Sequence, residues 1–240
     1  MRFAFGPVSL VIAFGLYYGA HASQLVVMCI VGVGLISFQW ANVLANASRD
    51  AYDRAALVLV ANGRGDQLGA RLDAAVPFRL FGAAAERAAR RGAALSALGR
   101  YEDAAKAWAE AVAGYSGGVV PPLVAVGFAG AAFEAGWDRD ASRAYRALLE
   151  NNPELPRVRT RLAHALARLG EDLDEADELL TAAERSARED VELTIARAAW
   201  LAAKKRPKAA RAKIAAVKAE PPYLAKEVAK LRARPTKKAR

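Results

Sequence analysis

Two apolar stretches open the chain, Phe3 to Ala20 and Leu25 to Ala47, separated only by His21-Ala22-Ser23-Gln24. Arg2 is the single fully charged side chain in this region. About 20 apolar residues cross roughly 30 Å of hydrocarbon at 1.5 Å per residue, so the two runs are too long for one crossing. The pattern predicts a transmembrane hairpin over residues 1–47. Val26, Val27, Ile30, Val31, Val33, Leu35 and Ile36 would occupy every face of the second helix, whereas a surface helix of a globular domain keeps a polar side. Tyr17, Tyr18 and Trp40 sit near the ends of the runs, where amphipathic rings favour the interface. Gly15 and Gly19 give a small-residue spacing suited to close helix approach. Arg2 precedes the hairpin, Arg49 and Arg54 follow it, and its turn holds no Lys or Arg. The positive-inside rule then puts both termini and the soluble part in the cytoplasm, at an inner (plasma) membrane of bacterial type. Ala20-His21-Ala22 also has the form of a signal-cleavage site; cleavage there would leave the second run as an anchor.

After the hairpin the pattern changes to short amphipathic segments with an alanine at a fixed offset. Gly99 is followed by Tyr101, Ala104 and Trp108; Gly136 by Ala141, Tyr145 and Leu148, with Pro153 closing the unit. Gly170, with one extra residue in its turn, leads to Leu173, Ala176, Leu180 and Ala183. Lys205, Pro207, Ala210, Ile214, Val217 and Pro222 form a copy without glycine, and Gly65, Ala70 and Ala74 a degenerate first one. A recurrence of the alanine at Ala70, Ala104, Ala141, Ala176 and Ala210 is the mark of stacked helix pairs. Small residues let antiparallel helices approach, a large residue four positions on fills the gap, and glycine or proline ends one helix before the next.

These motifs resemble the tetratricopeptide repeat family. The resemblance is best over residues 85–155, weaker over 156–222 and poor over 48–84. It implies an all-α fold in which a degenerate helix pair (48–84) and a right-handed α-solenoid (85–222) follow the transmembrane hairpin, and the one-sided pattern of Leu224, Val228 and Leu231 predicts a basic capping helix and tail (223–240). Two departures stand out. The consensus tryptophan early in the first helix of a repeat is absent, and Ser116 to Pro122 lengthens one connection. The resemblance further implies a protein or peptide partner in a concave groove lined by the first helices, which would place Val126, Phe133, Arg157, Thr160, His164 and Arg168 there. Val126 and Phe133 fit an inter-repeat core equally well. As a groove, the set suits an amphipathic or extended segment carrying a carboxylate. The cationic clamp by which some members hold a chaperone C-terminus is not matched, since the aligned positions include Ala89, Ala93, Val126 and Gly130.

Charge alters this picture at one end. The chain carries 35 Lys and Arg against 25 Asp and Glu, a net +10. From Lys204 onward there are 14 basic and 2 acidic residues, so the excess lies in the C-terminal segment and the body before it is near neutral. Lys204, Lys205, Arg206, Lys208, Arg211, Lys237 and Lys238 are candidates for anionic lipid or nucleic acid, with a simply solvated face as the third reading. Tyr223 is the one aromatic ring in the segment, which gives little for base stacking.

The candidate chemistry is sparse. Cys29 is the lone cysteine, which excludes a disulfide framework within the chain. His21 and His164 have no ligating neighbours at metal spacing. The run Glu171 to Glu178 lacks the spaced oxygens and central glycine of a calcium loop and reads as a helix N-terminus. Gly63-Arg64-Gly65-Asp66 reads as a turn. No nucleophile elbow or phosphate loop is present. The expectation is therefore an interaction scaffold at a membrane, not an enzyme, with no cofactor; the alternative is a nucleic-acid or ribosome tether acting through the basic segment.

Overall fold

The computed structural model describes residues 24–115, 118–153, 155–186, 190–218 and 221–233, together with Gly15. The first predicted membrane helix apart from Gly15, most of its turn and the last residues of the basic tail lie outside these. The described residues are all-α, with twelve α-helices and no strand, and they divide into two units, residues 1–98 and 99–240.

The first unit is built on α1, Gln24–Ala61. Among the described residues one helix is long and apolar enough to cross a membrane, Val26–Ala61 within α1, and only 6% of its apolar window is buried. The expected boundary at residue 47 falls inside this helix. Ser48, Arg49, Asp50, Asp53 and Arg54 change the polarity of the surface, but none of them breaks a backbone ladder, and α1 stops only where Asn62-Gly63 supplies a left-handed residue (Gly63, φ 69°). A 3-10 turn, Gly65–Gln67, leads into α2 (Leu68–Ala74), α3 (Val76–Phe81) and α4 (Ala84–Ala97). Residues 48–84 are thus the end of one long helix plus two short ones. Phe78 and Tyr52 are buried, Arg90 packs 5.0 Å over the Phe78 ring, and Arg90 binds the Asp53 carboxylate through Nε (2.8 Å) and Nη2 (2.6 Å).

The second unit runs α5 (Tyr101–Gly114), α6 (Pro122–Ala135), α7 (Asp138–Asn151), α8 (Pro156–Leu169), α9 (Leu173–Ser186), α10 (Val191–Ala203), α11 (Pro207–Ala215) and α12 (Ala225–Ala233). From α5 to α12 each helix packs on the next. The local signals explain the breaks. Proline opens α6, α8 and α11, where its missing N–H costs nothing. Gly136 (φ 81°) and Gly170 (φ 71°) close α6 and α8 in the left-handed conformation, and the N–H after each reaches back to Ala132 O and Leu166 O. Lys205 does the same after α10 at φ 58°, with the Arg206 N–H on Leu201 O at 2.8 Å. Ala104, Ala141, Ala176 and Ala210 are buried, as are Trp108, Tyr145, Leu180 and Ile214 four residues on. Gly127 shows why small residues matter: a Cβ there would lie 2.5 Å from the Trp108 ring.

Candidate functional site

The polar residues of the second unit gather on α8. Arg157, Thr160, Arg161, His164 and Arg168 recur at intervals of three and four, which brings them onto one side of the helix. Thr160 is spent locally, its hydroxyl donating to Pro156 O at 3.1 Å. Arg161, His164 and Arg168 meet charges from four other helices.

Arg161 donates to Glu192 of α10 (Nη2 to Oε1, 3.0 Å) and to the Tyr223 hydroxyl (3.3 Å), and lies 3.7 Å from Glu134 of α6. Its guanidinium stacks over the rings of Phe133 (5.7 Å) and Tyr223 (5.6 Å). Two turns on, Arg168 donates to Glu227 of α12 through Nε at 2.9 Å and also through Nη2, to Asp138 at 3.2 Å and to Phe133 O at 3.0 Å. It lies 4.3 Å over the Phe133 ring. Between the arginines, His164 Nε2 and Glu227 Oε1 are 2.8 Å apart, with the imidazole edge-on to Phe133.

The electrostatics follow from burial and pairing. Burial works against the Glu227 carboxylate, but the hydrogen bond and charge of His164 and the Arg168 guanidinium outweigh it and hold its pKa down at about 2. Burial wins at Glu134 and Asp138, whose carboxyls rise above their ordinary range despite Arg161 and Arg168. Burial pushes the Tyr145 hydroxyl up to about 12, against the opposing pull of the Arg161 guanidinium. Two arginines here face four carboxylates, so the site offers no surplus positive charge. A cavity of about 760 Å³ adjoins it, lined by Gly136, Asp138, Arg168, Tyr223, Lys226 and Lys230 among others.

The six predicted groove residues therefore separate. Phe133, Thr160 and His164 are buried and Arg168 is mostly so, while Val126 and Arg157 remain exposed. The carboxylate that the sequence reading assigned to a partner is supplied within the chain, by Glu227. Leu224, Val228 and Leu231 of the C-terminal segment are buried, and Glu227 is turned inward with them. Arg161 was missed altogether, although its spacing of four from Arg157 and seven from Arg168 was available in the sequence.

A Cβ on Gly130 would sit 3.4 Å from the Arg161 guanidinium. The most exposed large apolar side chains among the described residues of the unit are Val119 (91%) and Leu123 (79%), with Val126 at 42%.

The basic candidates also divide. Lys204 binds Asp174 at 2.7 Å and holds that carboxyl below its usual range. Arg211 is half-buried, Lys205, Arg206 and Lys208 are exposed, and Lys237 and Lys238 lie outside the described residues. The acidic run is used for stapling: Glu171 pairs with Arg139, Asp172 and Glu175 with Arg146, and Asp177 with Arg197. Among the described residues no three His, Cys, Asp or Glu side chains converge as a metal site would require. Comparisons of the chain with protein-family models, with curated proteins and with solved structures find no match.

Proposed function

We propose that the chain is a membrane-anchored scaffold. A two-helix N-terminal hairpin holds it in an inner (plasma) membrane with both termini in the cytoplasm, and a right-handed stack of tetratricopeptide-like helix pairs recruits a protein partner. The observation that carries the partner reading is the exposure of Val119, Leu123 and Val126 around the start of α6, with Arg157 exposed at the start of α8. Exposed clusters of this kind are uncommon on surfaces that meet only water. The membrane reading is supported by α1, whose apolar side chains Met28, Val33, Leu35, Ile36 and Trp40 are exposed along its length.

An amphipathic or extended partner segment would lay apolar side chains on Leu123 and Val126 and direct an acidic group to Arg157. The test is site-specific photo-crosslinking at Leu123 in membranes, with the full chain. A discrete adduct that is lost in Leu123→Asp/Val126→Asp and kept in Arg143→Glu, a change at an exposed α7 position, supports the reading. No adduct, or one indifferent to the double substitution, refutes it.

A further inference from the structure

Helix α3 leaves part of an apolar face open where α1 leaves its long apolar run. Its level along α1 is fixed from both flanks. On the side of α2, Ala74 and Ala75 share a small cavity with Ser48 and Tyr52. On the side of α4, Glu86 lies 3.6 Å from Arg49, and Arg90 binds Asp53 one turn further on. Between these flanks α3 packs on α1. On α1, Ala45 is buried although its apolar neighbours Val43 and Leu44 are not.

Six residues are too few for a helix to persist alone, so α3 is held in place by the buried Phe78 beneath Arg90. That anchoring turns Phe78 in and leaves Val76 and Leu80 out, each 50% exposed. Arg79 stands between them in the sequence with its side chain half in solvent, 3.6 Å from Asp73. On α1, the apolar side chains exposed at the adjoining level are Trp40, Val43 and Leu44. An indole favours the headgroup boundary, so this level corresponds to the edge of a bilayer that α1 crosses.

We infer that α3 is an interfacial foot, with Val76 and Leu80 inserted at the headgroup–acyl boundary of the lipid layer that holds α1. The occupant is lipid because the exposed apolar side chains of α3 lie next to the level at which the exposed apolar run of α1 ends, and because Arg79 beside them suits anionic headgroups. The inference rests on the membrane reading of α1 given above.

The test uses the full chain with Cys29→Ser, reconstituted in phosphatidylcholine–phosphatidylglycerol vesicles and labelled with an environment-sensitive fluorophore at one introduced cysteine. The sites are Leu80→Cys, Val76→Cys, Met28→Cys and Asp66→Cys. Asp66 is exposed and lies past the far end of α1, about 20 Å from the level of α3 by helix rise. Lipids carrying a nitroxide near the headgroup should remove most of the emission from Leu80→Cys and Val76→Cys and little from Asp66→Cys. Deep nitroxides should quench Met28→Cys best. If Met28→Cys is quenched while Leu80→Cys and Val76→Cys behave as Asp66→Cys does, the foot is refuted and the crossing stands. If Met28→Cys is not quenched, the crossing is refuted and the foot with it.

Discussion

In the second unit Ala104, Ala141, Ala176 and Ala210 are buried, and so are the large residues four positions on, Trp108, Tyr145, Leu180 and Ile214. In the first unit Ala70, at the same repeat spacing, faces solvent, and the position four residues on is Ala74, also exposed. The contrast separates two things that a repeat spacing conflates. A small residue permits two helices to approach, but burying the large side chain beside it is what stabilises that approach, at about 25 cal/mol per Å² of apolar surface removed from water. Without the large residue, α2 ends after seven residues and the chain takes another course.

The strongest way to break the contrast is at the charges only the second unit buries. Arg168→Met would strand Glu227 and Asp138, and we expect a loss of about 4 kcal/mol in chemical denaturation, against less than about 1 kcal/mol for Arg79→Met in the first unit, whose ion pair with Asp73 is exposed. Next comes the packing pair itself. Leu180→Ala should cost about 3 kcal/mol, whereas Ala74→Leu, the reciprocal change at the exposed position of the degenerate copy, should stay within about 0.5 kcal/mol.

Acid provides a third comparison. The Glu227 pKa is depressed in the folded chain, so its stabilisation is complete above the unfolded carboxylate range and is lost as pH falls from about 5 towards 2. Glu134 and Asp138, whose pKa values are raised, act in the opposite sense just above that range. The stability gap between the wild type and Glu227→Gln, followed by urea unfolding across pH, should therefore be widest above pH 5 and close near pH 2; a gap independent of pH would remove the pairing from the account. The smallest expected effect concerns Lys205, which holds the left-handed position that Gly136 and Gly170 occupy elsewhere. Lys205→Gly should raise stability by about 0.5–1 kcal/mol, and Gly170→Lys should lower it by a similar amount.

Much of the helical order was legible because its signals are local. Gly99, Gly136 and Gly170 do carry positive φ, and prolines do open α6, α8 and α11. Two features were not legible, for different reasons. The length of α1 is one: residue 47 marks a change of charge, and charge alters which solvent a helix prefers without ending its backbone hydrogen bonds, so the helix runs on to Ala61, just before the turn read at Gly63. The α8 site depends on partners far away in sequence. Arg161 reaches Glu192 and Tyr223, and His164 and Arg168 reach Glu227, so whether those cations stay open is decided by α10 and α12 and not by α8. A helix wheel shows which side chains share a side, but not that another part of the chain already covers it.

The uninterrupted α1 makes torsion as well as distance a fixed quantity in the first unit. Its 38 residues form a rod about 57 Å long, with successive residues turned by about 100°. Whatever grips residues 25–47 thereby also sets the compass bearing of Tyr52 and Asp53. A single residue inserted after Ala47 would swing Asp53 roughly a quarter turn away from Arg90, unfastening α4 with no change at either partner.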